Sequence, residues 1–256
     1  MVITVDRGRF ELLVDEARTQ DAQRPRAEAG ERISAIKARQ IGRKGVIVGD
    51  HVKVVPTSKD AGRIIAVQPR TTVLRRSADD TNPREKPIVA NATQLAAVIA
   101  TTSPEPNFGL GDRAVIAAID AKLKPLVIAT KCDLARPEAL QDHFEALGVE
   151  VITAIKGQSV DHVAERLTNQ ATVLIGESGV GKSSLVNALV PDAMRETGQV
   201  SSATYFGRHT SSSVVAFALP TSGLLIDTPG LRTFGLAHIT AKEFETKART
   251  RLNAES

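Results

Sequence analysis

The sequence predicts an α/β protein: a mostly parallel sheet with its ligand motifs in permuted order, preceded by a small β-barrel. Three observations carry this expectation. Gly176-Glu177-Ser178-Gly179-Val180-Gly181-Lys182-Ser183 matches G-x-x-x-x-G-K-[ST] and lies between a β-type run at 172–175 and a helical pattern at 183–189, the context that a phosphate loop requires. Asp227-Thr228-Pro229-Gly230 follows it, in the place of a magnesium and γ-phosphate sensor. Thr130-Lys131-Cys132-Asp133 is a guanine-reading pattern, and it lies upstream of both rather than after them. A nucleotide site is assembled in space, so a chain cut and rejoined elsewhere can keep it. The expected fold is therefore a circularly permuted P-loop GTPase domain behind an OB-fold-like barrel.

The elements follow in order. Residues 2–5 and 10–14 flank the Asp6-Arg7-Gly8 turn as a hairpin. Residues 19–31, with Pro25 and Gly30, form a loop. Three further β-type runs lie at 33–38, 51–55 and 63–67. Five strands without helices suit a small barrel such as an OB-fold, with an SH3-like or irregular β domain as the alternative. The barrel is assigned residues 1–76. The polar, proline-bearing stretch 77–87 reads as a linker. From 88 to 239 strands (95–100, 126–129, 149–153, 172–175, 224–226) alternate with helices (112–122, 138–147, 183–189), which implies a parallel sheet with ligand at its C-terminal edge. Residues 240–256 form a charged, helical C-terminal segment.

The 256 residues carry 42% hydrophobic content and no apolar run long enough to cross a bilayer, and the N-terminus lacks a signal-peptide layout. A cytoplasmic protein without membrane contact is expected, and a monomer. Cys132 is the single cysteine, which excludes an internal disulfide and a multi-cysteine zinc site. Residues 1–76 hold 16 Lys/Arg against 9 Asp/Glu, and the remainder holds 17 against 20. The basic third is either a solvated surface or a polyanion-binding one, RNA being the expected partner. Lys37, Arg39, Arg43 and Lys44 concentrate that charge between two strands.

In the phosphate loop, backbone N–H groups of residues 176–184, Ser184 included, face the phosphates. Lys182 reaches the β- and γ-phosphates, and Ser183 ligates magnesium through its hydroxyl. Asp133 accepts from guanine N1–H and the N2 amine together, a pair of donors that adenine lacks. The stem of Lys131 covers the ring face. Thr130 stands where asparagine is commoner and offers a weaker side-chain contact. Thr153-Ala154 adds a backbone contact to guanine O6. Asp227 holds magnesium through water, and the Gly230 N–H meets the γ-phosphate.

Leu231 occupies the place of a water-positioning glutamine and cannot polarise water, so the catalytic group comes from elsewhere. His209, in Gly207-Arg208-His209-Thr210-Ser211, is the candidate, the alternative being an exposed loop histidine. Thr210, or else Ser211, is the hydroxyl expected to meet magnesium in the GTP state. Arg208 contacts phosphate or RNA, or is plain surface.

With these motifs in place, the chain resembles the RsgA family of circularly permuted GTPases that serve small-subunit ribosome biogenesis. The resemblance spans roughly residues 1–240. It includes Val48-Gly49-Asp50, Pro69-Arg70, Leu74-Arg75-Arg76, Ser103-Pro104-Glu105-Pro106, the permuted motif order and Gly207-Arg208-His209-Thr210. It implies GTP hydrolysis coupled to late maturation of the small (30S) subunit near its decoding region, stimulated by the ribosome, with the subunit and its rRNA as partners. Leu231 matches the family's lack of the usual glutamine, and the family's switch histidine maps to His209. The family usually ends in a helical zinc domain. No cysteine follows Cys132, so zinc is not expected in this chain, and that domain is expected to be absent by natural loss or by shortening. GTP or GDP with magnesium are the expected ligands. The alternatives are an RNA-binding GTP/GDP switch with little turnover and, less compatible with Asp133, a P-loop ATPase or small-molecule kinase.

Overall fold

The computed structural model describes residues 1–14, 30–42, 45–58, 60–79, 82–191 and 214–228. The N-terminal part is built from β1 (Val2–Asp6), β2 (Arg9–Leu13), β3 (Arg32–Lys37), β4 (Val52–Ser58) and β5 (Ala61–Val67). Arg7 and Gly8, both at positive φ, make the two-residue turn between β1 and β2, the backbone geometry that matches strand twist in a tight hairpin. The strands run in the order β1-β2-β3-β5-β4, antiparallel except for the parallel β3–β5 pair. This is the Greek-key arrangement of an OB-fold, and the five expected strands are all present. Its interior is Val2, Phe10, Leu12, Ala35, Val46 and Ile64. The alternation is clean in β5, where Gly62 and Ile64 point in while Arg63 and Ile65 point out. Closure comes from the segment before β4. The Val2 N–H donates to the Asp50 carbonyl at 2.8 Å, and the Gly49 N–H to the Val2 carbonyl at 2.9 Å.

Residues 77–79 and 82–87 are not a bare linker. They belong to a hairpin of β6 (Val73–Asp79) and β7 (Asn82–Ala90). Pro83 and Pro87 suggested a loop, but a strand of a two-stranded sheet tolerates proline far better than a central strand does. Leu74 and Val89 of the hairpin are buried with Ile3 and Val48 in the large core that continues under the second part of the chain.

The Val48-Gly49-Asp50 and Pro69-Arg70 motifs meet at this junction. Gly49 has φ +88°, and a Cβ there would lie 1.9 Å from the Ala90 carbonyl oxygen, so only glycine fits. Asp50 is fully buried, and Arg70 grips both its oxygens, with Nε at 2.6 Å and an Nη at 2.8 Å. The same guanidinium donates to the Gly45 carbonyl at 3.0 Å, and the Ile47 N–H donates to Asp50 at 2.8 Å. The Asp50 contact raises the Arg70 pKa, burial opposing it. Arg70→Ala strands a buried carboxylate and is expected to cost about 3–5 kcal/mol, read as a lower urea midpoint. A midpoint within error of the unsubstituted protein would show that the pair does not hold the junction.

The second part comprises β8 (Gln94–Ala100), α1 (Phe108–Asp120), β9 (Lys124–Thr130), α2 (Glu138–Glu145), β10 (Val151–Ala154), α3 (Asp161–Leu167), β11 (Ala171–Ile175), α4 (Lys182–Leu189), β12 (Val215–Ala218) and β13 (Leu224–Asp227). The sheet runs β10-β9-β8-β11-β13-β12, parallel except for β12. β8 is buried along its whole length, as a central parallel strand must be. Leu110 and Ala114 of α1 and Leu140 and Phe144 of α2 cover one face. Val163 and Leu167 of α3 and Leu185, Val186 and Leu189 of α4 cover the other.

β12, β6, β7 and α3 add to the expected elements, and α1 starts at Phe108 rather than at 112. β1 pairs with β12 through Thr4 and Val215, so barrel and parallel sheet form one continuous sheet of 11 strands. The C-terminal segment 240–256 lies outside the described residues. Among the described residues no helix is long and apolar enough to cross a membrane.

Candidate nucleotide site

The phosphate loop leaves the C-terminal end of β11 and enters α4 at Gly181, whose φ of +94° requires glycine. No side chain caps α4, so its first N–H groups are open to an anionic ligand. Val180 is buried under the loop, while Ser178, Ser183 and Ser184 are exposed and Glu177 is half-buried. Gly176 and Gly179 complete the turn.

Lys182 and Asp227 are both buried, and the ammonium donates to Asp227 Oδ1 as an ion pair. The pair spans 45 residues of sequence and joins the phosphate loop to the sensor strand β13. Thr228 locks that strand end, its hydroxyl donating to the Leu174 carbonyl at 2.6 Å. The two charges neutralise each other. Their separation suits a lysine that turns to phosphate and a carboxylate that turns to a hydrated cation. Among the described residues no group of three or more His, Cys, Asp or Glu could hold a metal. One carboxylate and the Ser183 hydroxyl still fit magnesium, which keeps several waters and binds largely through substrate phosphates.

The guanine motif sits against the phosphate loop despite its upstream position. Thr130 is buried, and its hydroxyl donates to the Val180 carbonyl at 2.5 Å. It therefore ties the guanine motif to the phosphate loop. Lys131 has φ +58°, its carbonyl accepts from the Thr101 hydroxyl at 2.8 Å, and its ammonium donates to the Ser103 carbonyl. Cys132 is half-buried, with Sγ donating to the Ala129 carbonyl at 3.3 Å. Burial pushes its thiol pKa up, the neighbouring Asp133 charge adds to this, and the Ala154 N–H opposes it. Asp133 is exposed. Ala154 pairs with Thr130 in register, so the 153–154 strand end reaches the same edge, and His162 holds it through the Thr153 carbonyl at 2.6 Å.

Sequence reasoning quoted Ser103-Pro104-Glu105-Pro106 without giving it a role. The structure places this segment between the two motifs. Asn107, directly after it, was missed. The helical pattern was read only from 112, so nothing marked Asn107 as the residue before a helix, where asparagine is a common N-cap. His209, Thr210 and Gly230 lie outside the described residues, as do Arg208, Ser211 and Leu231.

A parallel sheet in permuted order, with phosphate loop, sensor strand and guanine motif converging at its C-terminal edge, defines a circularly permuted GTPase domain. The family model described as RsgA GTPase matches residues 67–237. A small ribosomal subunit biogenesis GTPase RsgA of Nitrosomonas europaea is 39% identical over 204 residues, covering 77% of this chain and 64% of its own. That of Burkholderia pseudomallei is 41% identical over 210 residues, covering 78% and 65%. The chain thus spans just under two thirds of the length of these curated relatives. Among solved structures, YjeQ from Thermotoga maritima superposes with a TM-score of 0.67 at 22% identity, covering 96% of this chain and 80% of its own. YloQ, described as a circularly permuted GTPase, gives 0.65 at 23% identity, covering 100% and 79%. These two share the fold. The chain belongs to the RsgA GTPase family.

Proposed function

We propose that the chain binds GTP with magnesium and hydrolyses it during maturation of the small ribosomal subunit. The observation that carries this is the Thr130–Val180 hydrogen bond, which joins a guanine reader to a phosphate cradle 50 residues downstream. In this reading Asp133 takes the N1–H and N2 donors of guanine, and Lys131 lies along the ring. The loop N–H groups and Lys182 hold the β- and γ-phosphates. Magnesium, held by Ser183 and through water by Asp227, would neutralise charge developing on those phosphates. Gly230 meets the γ-phosphate, Thr210 joins the cation in the GTP state, and His209 orients or deprotonates the attacking water. The barrel contacts rRNA through its basic surface. The protein works as a cytoplasmic monomer.

A second reading, an RNA-bound GTP/GDP switch with little turnover, is favoured by Leu231 in the glutamine's place. Single-turnover hydrolysis with and without small subunits decides between them. The enzyme reading expects stimulation by subunits. Equal, negligible rates in both would leave the switch. In the stimulated reaction His209→Ala is expected to slow turnover about 10²–10⁴-fold with GTP affinity nearly intact. A normal rate in that variant would return His209 to the surface.

A further inference from the structure

We infer that Asn107 is a positioning residue for nucleotide binding, a latch that holds the phosphate loop to helix α1 through the Glu177 carboxylate. This deepens the GTP-binding reading and rests on it. The two ends of the Asn107 carboxamide do different work. Its Oδ1 accepts from the Leu110 N–H at 2.9 Å and caps α1. Its Nδ2 donates to Glu177 Oε1 at 2.7 Å, across 70 residues of sequence. Glu177 is the second residue of the phosphate loop, so its negative charge stands in a cradle built for anions. Engaging that carboxylate from outside the loop fixes it in place and weakens its field at the ligand.

The latch has a neighbour that fixes its spacing. Lys131 donates to the Ser103 carbonyl at the start of the same segment. Pro104 Cδ lies 3.9 Å from where a Cβ on Gly179 would stand. The segment from Ser103 to Asn107 therefore touches the guanine motif at one end and the phosphate loop at the other. It sets the distance between the groups that must grip the two ends of one nucleotide.

The test separates the latch from the cap. Asn107→Asp keeps an N-cap acceptor, equivalent to asparagine at this position and favoured by the helix dipole. It replaces the donor facing Glu177 with a second carboxylate. The expected result is a GTP Kd raised about tenfold or more, with the helix content of the nucleotide-free protein unchanged and only a small fall in its Tm. N107D/E177Q turns the pair round, the glutamine amide donating to the aspartate, and is expected to reverse most of the loss. A role confined to capping α1 would show neither the loss in N107D nor the rescue. Unsubstituted protein that binds GTP beside an N107D variant of equal affinity would overturn the latch alone. Unsubstituted protein that fails to bind GTP would overturn the proposed function and the latch with it.

Discussion

Lys182→Ala is expected to lower kcat/KM for GTP about 10³–10⁵-fold. Two losses combine. The ground state loses a charge-assisted contact to phosphate, and the transition state loses a preorganised cation where negative charge develops. The structure adds a second consequence. Lys182 is the ion-pair partner of Asp227, a carboxylate only 2% exposed. Removing the ammonium takes a cation away from a buried charge, which should destabilise the free protein by about 3 kcal/mol. The variant should therefore show both a lower Tm without nucleotide and a smaller Tm rise on adding GTP and magnesium. Hydrolysis and nucleotide-induced stabilisation equal to the parent would remove Lys182 from the phosphate site.

The parts of this site that were legible in the sequence are those in which chemistry dictates the residue. A phosphate loop needs glycine at Gly181 because its φ is +94°. It needs lysine and serine for charge and metal. The strand–loop–helix setting could be read from periodicity at β11 and α4, and the barrel from five alternating runs. What escaped notice depends on partners far along the chain. Thr130 looked like a weak base contact, yet its hydroxyl finds Val180. Lys182 and Asp227 were assigned separate duties, and nothing local announces that they pair. Asn107 caps a helix in a way any asparagine might, and its second bond goes to a residue 70 positions on.

The fold shows the same division. Residues 77–87 carry Pro83 and Pro87 and looked like a linker, because local propensity cannot see that β6 and β7 pair with each other. β12 is a four-residue strand whose identity is set by its neighbours β13 and β1. Its pairing with β1 fuses barrel and sheet, a junction that no stretch of sequence encodes alone. Gly49, Asp50 and Arg70 were noticed only as part of a resemblance. The structure gives them a cause: a backbone contact too close for a Cβ, and a buried carboxylate that needs a guanidinium.

The base reader offers the sharpest division between this account and any other P-loop protein. In the proposed GTP complex the Asp133 carboxylate would present two acceptors to the N1–H and N2 amine of guanine. Xanthine carries a carbonyl in place of that amine, so acceptor would face acceptor. Asp133→Asn exchanges one acceptor for a donor, which now opposes the guanine amine and matches the xanthine carbonyl. Losing the charged bidentate contact should cost GTP roughly 2–4 kcal/mol. With the gain for xanthosine triphosphate, the preference between the two should shift about 10⁴-fold. Asp133 is exposed, so the fold should not register the change. The decisive measurement is hydrolysis of GTP and xanthosine triphosphate, side by side, by the parent protein and Asp133→Asn. The parent is expected to prefer GTP and the variant xanthosine triphosphate. A variant that keeps the parent's preference for GTP would contradict it.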